Sequence, residues 1–144
     1  MCAYCGCDAI TIIGRFMAEH VEIVNALTRL RAACGAGEAV EVRAATDAMA
    51  GLLHPHTRAE EVGLFATMRR DDLFADHIAS LCAEHTELDR LLNALRGGSY
   101  GEFETFEHAL REHINREDNG LFPAAAVAMS GADWEEIEAR TPPA

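Results

Sequence analysis

The chain has 144 residues, 49% of them hydrophobic, which suffices for one domain with an apolar core and leaves too little for two. Twelve Lys+Arg against 24 Asp+Glu give a formal charge of -12, and the only basic neighbourhood is at Arg69 and Arg70, so nucleic acid is excluded as an expected partner. Aromatic residues make up 6% and prolines number 4, a composition that favours helix over strand.

Residues 1–9 form a cysteine-rich segment. Cys2, Cys5 and Cys7 stand too close together to staple a fold, and the total of 5 cysteines is odd. In a reducing compartment such thiols point to metal or redox chemistry. Residues 10–130 read as the domain proper. The first helix carries Ile13, Phe16, Val24 and Leu27 on one face together with His20, and it ends near Gly35 and Gly37. A second helical stretch runs from about Glu38 to Met68 through Val42, Met49, Leu52, Leu53, Leu64 and Phe65, with a kink expected at Pro55. Asp71 and Asp72 suit the start of a third helix, whose stripe is Leu73, Ile78, Leu81, His85, Leu88 and Leu92, ending at Gly97-Gly98. Ser99 suits the cap of a fourth helix carrying Phe103, Phe106, Leu110, His113 and Glu117, with Pro123 marking its end or a break. Residues 131–144 read as a C-terminal tail, with a short helical turn at Asp133 to Ala139. Four helices on short linkers pack most simply up-down-up-down, so the expected fold is an all-α four-helix bundle.

The bundle is also a repeat. His56-Thr-Arg-Ala-Glu60-Glu61-Val-Gly63-Leu64-Phe65 aligns without gaps on His113-Ile-Asn-Arg-Glu117-Asp118-Asn-Gly120-Leu121-Phe122. Histidine, glutamate, glycine, leucine and phenylalanine recur, and Glu61 matches Asp118 in charge. Upstream of each copy stands a helix with a single histidine after an acidic residue, Glu19-His20 and Glu84-His85. Two helical hairpins therefore make up the bundle. Residues four apart on a helix project from one face about 6 Å apart, so His56 with Glu60, and His113 with Glu117, each offer a nitrogen and an oxygen to the interior. Each of the four histidines lies on the apolar face of its own helix, where an unpaired imidazole is costly. Imidazole plus carboxylate without thiolate suits octahedral iron, and less readily manganese, whereas structural zinc takes four ligands. Six ligands serve two metals when the carboxylates bridge.

Over about Ile10 to Ala128 the chain resembles the hemerythrin-like, or HHE cation-binding, family, on the repeated His-x-x-x-Glu followed by Gly-Leu-Phe. The resemblance implies a bundle around a non-haem di-iron centre, carboxylate-bridged, with His20, His56, Glu60, His85, His113 and Glu117 as ligands. Oxygen carriers of that family add a second histidine one turn away on the third helix. Here the positions four from His85 are Leu81 and Asp89. Carriers also place the last carboxylate five residues after its histidine, which makes Asp118 the rival of Glu117. A missing imidazole leaves an exchangeable position, unless Asp89 fills it.

The expected function is therefore sensing of oxygen, peroxide or nitric oxide, or redox defence as a di-iron oxidoreductase consuming peroxide or nitric oxide. The alternatives are simple oxygen binding and iron handling in the manner of hemerythrin-like factors that repair iron–sulfur clusters. The expected partners are a small diatomic ligand or peroxide, with an electron donor or iron-acceptor protein. No apolar run approaches the roughly 20 residues of a membrane helix, and no secretory signal is evident, so the expected location is cytoplasmic. His77 falls within reach of the cysteine segment if the first and third helices run parallel, so Cys2, Cys5, Cys7 and His77 are a candidate second site for zinc or another metal. His54 and His108 read as solvated or supporting histidines, and Cys34 and Cys82 as small buried hydrophobes.

Overall fold

The computed structural model describes residues 10–144, all in helices and short turns, with no strand among them. Helix α1 (Thr11–Ala36) ends where Gly37 turns left-handed, at φ 67°, and returns its N–H to the carbonyls of Ala33 and Cys34. Only a residue without Cβ takes that conformation freely. Helix α2 spans Ala39–Glu60 and continues through a π-turn (Glu61–Phe65) into one further turn (Ala66–Met68). Asp71 caps α3 (Asp72–Arg96) by accepting from the Leu73 N–H at 2.9 Å. After a 3₁₀ turn (Tyr100–Glu102), α4 (Phe103–Arg116) continues through a second π-turn (Glu117–Leu121) into Phe122–Ala128. The last helix, α5 (Gly131–Arg140), opens on a capping box between Ser130 and Asp133.

Several local expectations are revised. The α2 helix continues through Pro55, which is exposed together with Gly51, the residue whose carbonyl loses its partner. A change of helix type comes later, at the π-turn. Pro123 does not end its helix either. Its missing N–H falls just after the π-turn closes through Phe122 N–H to Glu117 O, in the first turn of the following α segment, where a proline is tolerated. Ser99 makes no side-chain cap bond, since a 3₁₀ turn intervenes. Leu73 is 79% exposed because it stands in the first turn of α3, before the helix has entered the core. The turn expected at 133–139 is the full helix α5, packed on the first π-turn through the fully buried Ile137.

Helices α1 and α2, α2 and α3, α3 and α4, and α4 and α1 are neighbours around the bundle. Two apolar clusters fill it. One contains Ile23, Leu27, Leu30, Met49, Leu88, Leu92, Phe106 and Leu110. The other contains Ile13, Phe16, Leu64, Phe65, Ile78, Leu81, Leu121 and Phe122. His20, His56, His85 and His113 each lie between members of the two clusters along their helices, so a polar layer separates two dry ones. No helix among the described residues is long and apolar enough to cross a membrane.

Candidate metal centre

All six residues singled out in the repeat converge in that layer. His20, His56, His85 and His113 are 2–8% exposed, and Glu60 and Glu117 are fully buried. Their donor atoms fall into two overlapping groups, His20, His56, Glu60 and Glu117, and Glu60, His85, His113 and Glu117, each with all its atoms within 4.8 Å of one another. Both glutamates belong to both groups. Glu60 Oε1 stands 3.4 Å from His56 Nε2 on its own helix and 3.3 Å from His85 Nε2 of the other hairpin. Glu117 Oε1 stands 3.3 Å from His113 Nε2 and 3.1 Å from His20 Nε2. Two ligands at ~2.1 Å from a common ion and at right angles to each other lie ~3 Å apart, so these separations suit neighbouring positions on a metal.

Most of the inward atoms find no other partner; the exceptions are His85 Nε2 and His113 Nε2, which stand 3.1 Å apart and pair with each other. Apart from Thr67 Oγ1, the buried side-chain N and O atoms left without a hydrogen bond among the described residues are His20 Nε2, His56 Nε2 and both oxygens of Glu60 and of Glu117. Each such atom costs about 1–3 kcal/mol in a dry interior, a sum comparable to the ~5–15 kcal/mol stability of a whole domain. Metal cations bound in this layer would relieve all of them. Imidazole and carboxylate together fit the donor preference of iron.

Electrostatics describes the same layer without a cation. Burial alone pulls the His20 and His56 imidazoles down. Asp118, Glu117 and Glu60 outweigh it at His20 and raise it to about 9, while Glu60, Glu19 and Glu117 raise His56 to about 10. His113 is raised likewise against its burial, chiefly by Glu117. Burial pushes Glu60 up, but the charge of His56 on its own helix holds the carboxyl well below its ordinary value.

Four more carboxylates complete the centre from outside. The Nδ1 atoms meet Asp118 Oδ1 (His20, 2.8 Å), Glu19 Oε1 (His56, 2.7 Å), Glu61 Oε2 (His85, 3.1 Å) and Glu84 Oε1 (His113, 2.8 Å). With Nδ1–H donating outward, the Nε2 lone pair is directed inward, and the carboxylate raises the basicity of the ring. Asp118 is thus an outer partner of His20, and the inner carboxylate on its helix is Glu117. Asp89 lies at the surface, 2.6 Å from His54, and is 49% exposed, so it does not fill a ligand position. The recurring phenylalanines form the floor of the layer. Phe65 stacks on His85 at 5.6 Å and 12°, and Phe122 on His20 at 5.8 Å and 16°. Each π-turn begins at or just after the inward glutamate, and its extra residue per turn brings the Leu-Phe pair back under the donors.

From sequence, Glu19, Glu61, Glu84 and the phenylalanines carry no assigned role and Asp118 stands only as the rival of Glu117, although each recurs in the repeat. Glu19 and Glu84 precede equivalent histidines, and Glu61 and Asp118 follow equivalent glutamates. Of the second candidate site, Cys2, Cys5 and Cys7 lie outside the described residues. His77 is half-buried, and its Nδ1 accepts from Arg116 Nη2 at 3.4 Å. His108 is exposed; Cys34 is buried, and Cys82 is half-buried beside Arg69.

Residues 11–125 match the family described as Hemerythrin HHE cation binding domain. No curated protein and no solved structure matches the chain.

Proposed function

This chain belongs to the hemerythrin HHE cation-binding family, and from that premise we propose that it holds two iron ions and uses them to sense or consume oxygen, peroxide or nitric oxide. The observation that carries the reading is the set of orphaned inward donors on Glu60, Glu117, His20 and His56, shared between two groups of four. His20 and His56 would hold one ion and His85 and His113 the other, with Glu60 and Glu117 available to both. Iron supplies an exchangeable position for a small oxidant or nitric oxide.

Two imidazoles and two carboxylate oxygens would leave an octahedral ion with two positions for exchangeable ligands. The chain decides what reaches them. Every inner donor is buried, and a groove of about 320 Å³ between α3 and α4 reaches His113 only from outside, along Glu84, Leu88 and Ala109. Burial of every inner donor would favour diatomic gases and peroxide over larger substrates. Outer carboxylates keep the imidazoles oriented, and the phenylalanines exclude water from below. Anaerobic titration of the metal-free protein with ferrous ion should end at two irons per chain. Stopped-flow mixing with oxygen, hydrogen peroxide and nitric oxide should then give a fast absorbance change with at least one of them. Fewer than two irons, or inertness to all three, overturns the reading.

A second reading, iron handling with delivery to an acceptor protein, rests on Cys2, Cys5 and Cys7 at the start of the chain. Failure of the iron-loaded protein to restore an apo iron–sulfur protein rejects it.

A further inference from the structure

The outer carboxylates fall into two classes that cut across the repeat. Glu19 and Glu84 are equivalent, and each divides its oxygens in the same way. Oε1 meets an imidazole Nδ1, on His56 and His113 respectively, while Oε2 meets an arginine. For Glu19 that arginine is Arg15, with Nε at 3.0 Å; for Glu84 it is Arg116. Glu61 and Asp118 are the other equivalent pair, and among the described residues neither makes an ion pair with an arginine.

The two arginines are not copies of each other. The gap-free alignment sets Arg116 opposite Ala59, and matching Glu19-His20 to Glu84-His85 sets Arg15 opposite Ser80. One guanidinium comes from α1 and the other from α4, yet they reach the same oxygen of equivalent carboxylates. Duplication of a hairpin does not produce that arrangement. The His20/His56 position consequently faces one bare carboxylate, Asp118, and one arginine-paired carboxylate, Glu19. The His85/His113 position faces bare Glu61 and arginine-paired Glu84. The imidazole rings match in placement as well: the two histidine pairs lie with ring centroids 4.7 Å apart in both groups, at 62° and 63°, and they differ only in that His85 Nε2 and His113 Nε2 approach to 3.1 Å whereas His20 Nε2 and His56 Nε2 stay unpaired.

We propose that Arg15 and Arg116 are matched positioning residues that balance the charge outside the two metal positions and so make those positions equivalent. The proposal rests on the di-iron reading. A carboxylate on Nδ1 makes an imidazole a stronger donor, and a guanidinium on the second oxygen draws part of that negative charge away. With one arginine on each side, the two ions meet the same field. Removing one arginine leaves a more basic imidazole at one position only.

The test is the Mössbauer spectrum of the protein loaded anaerobically with two equivalents of ⁵⁷Fe(II), with ferrous binding measured in parallel by titration calorimetry. The natural chain should give one quadrupole doublet. Arg15→Gln and Arg116→Gln should each resolve it into two of equal area and tighten one binding step by about tenfold. The double variant should return to a single doublet, a recovery that general damage to the fold would not produce. Arg15 also donates to the Pro142 carbonyl at 2.7 Å, so its replacement disturbs the C-terminal residues. Among the described residues Arg116 has only Ser80 and His77 besides Glu84 as polar partners, and its spectrum decides the matter if the Arg15 variant does not fold. Two doublets in the natural chain, or one unchanged doublet in Arg116→Gln, overturns the proposal. Fewer than two irons bound in the natural chain overturns the di-iron reading instead.

Discussion

The two half-sites are alike inside and unlike outside. Around the centre, His20 with His56 and His85 with His113 share donors, ring angles, carboxylate partners and stacked phenylalanines. On the surface the resemblance stops. The first π-turn lies under α5, and a methyl on Gly63 would stand 2.3 Å from Thr141 Oγ1. Its counterpart Gly120 has nothing within 4 Å. The outer carboxylate Glu19 is tied through Arg15 to the Pro142 carbonyl, whereas Glu84 is tied through Arg116 to Ser80 and His77. Strict equivalence is held only where both hairpins face the same pair of charges, and packing elsewhere is free to diverge.

The most severe way to break the symmetry is to remove a shared ligand. Because Glu60 and Glu117 each serve both groups, Glu60→Ala and Glu117→Ala should each cost both irons, not one. Iron content per chain measures this, and a variant that kept one firmly bound iron would show that its glutamate serves a single ion.

Charge offers a second way. The folded-state values of about 9 for His20 and about 10 for His56 lie above the ordinary 6.5. Such groups contribute stability to the metal-free protein that is fully present below pH ~6.5 and lost as pH rises through ~9–10. Urea denaturation at pH 7 and pH 10 should therefore show the metal-free protein weakening at the higher pH. Ferrous binding at pH 8 should release protons into a weakly buffered solution, because metal-bound imidazoles are neutral. Binding without proton release would show that these rings are already neutral.

The two glycines sharpen the outer contrast. Gly63→Ala should destabilise by about 1 kcal/mol through the clash with Thr141, and adding Thr141→Ala should recover most of that loss. Gly120→Ala should be neutral or stabilise by up to ~1 kcal/mol, as alanine replaces glycine in an open helical position. Equal effects in a denaturant series would mean that α5 does not hold the first π-turn. The smallest effect belongs to the surface pair of His54 and Asp89, which are 55% and 49% exposed. Asp89→Asn should shift stability by less than ~0.5 kcal/mol and leave iron content unchanged; a lost iron would restore Asp89 as a ligand.

Much of the centre is legible in the chain because helical periodicity is local. A histidine on an apolar stripe must point inward, and a glutamate four residues later must share its face. The gap-free repeat of His56–Phe65 on His113–Phe122 then doubles each inference. The outer ring was harder to read for an equally local reason. Residues i and i+1 on a helix do not face each other, so the acid beside a histidine cannot serve that histidine. Glu19 meets His56 across its own hairpin, and Glu61 crosses to His85 of the other.

By itself, the amino-acid sequence determined the four amphipathic helices, their pairing into two hairpins and the six residues that turn inward. Each follows from spacing along a single helix or from likeness between two. Only the tertiary structure decided that Asp118 stands behind His20 and that Asp89 stays at the surface with His54. It alone showed the π-turns that return Phe65 and Phe122 to the centre, the docking of α5 over Gly63, and the arrival of Arg15 and Arg116 from different helices at equivalent carboxylates. Those features depend on which helix lies beside which and at what height, and no period within one helix encodes that.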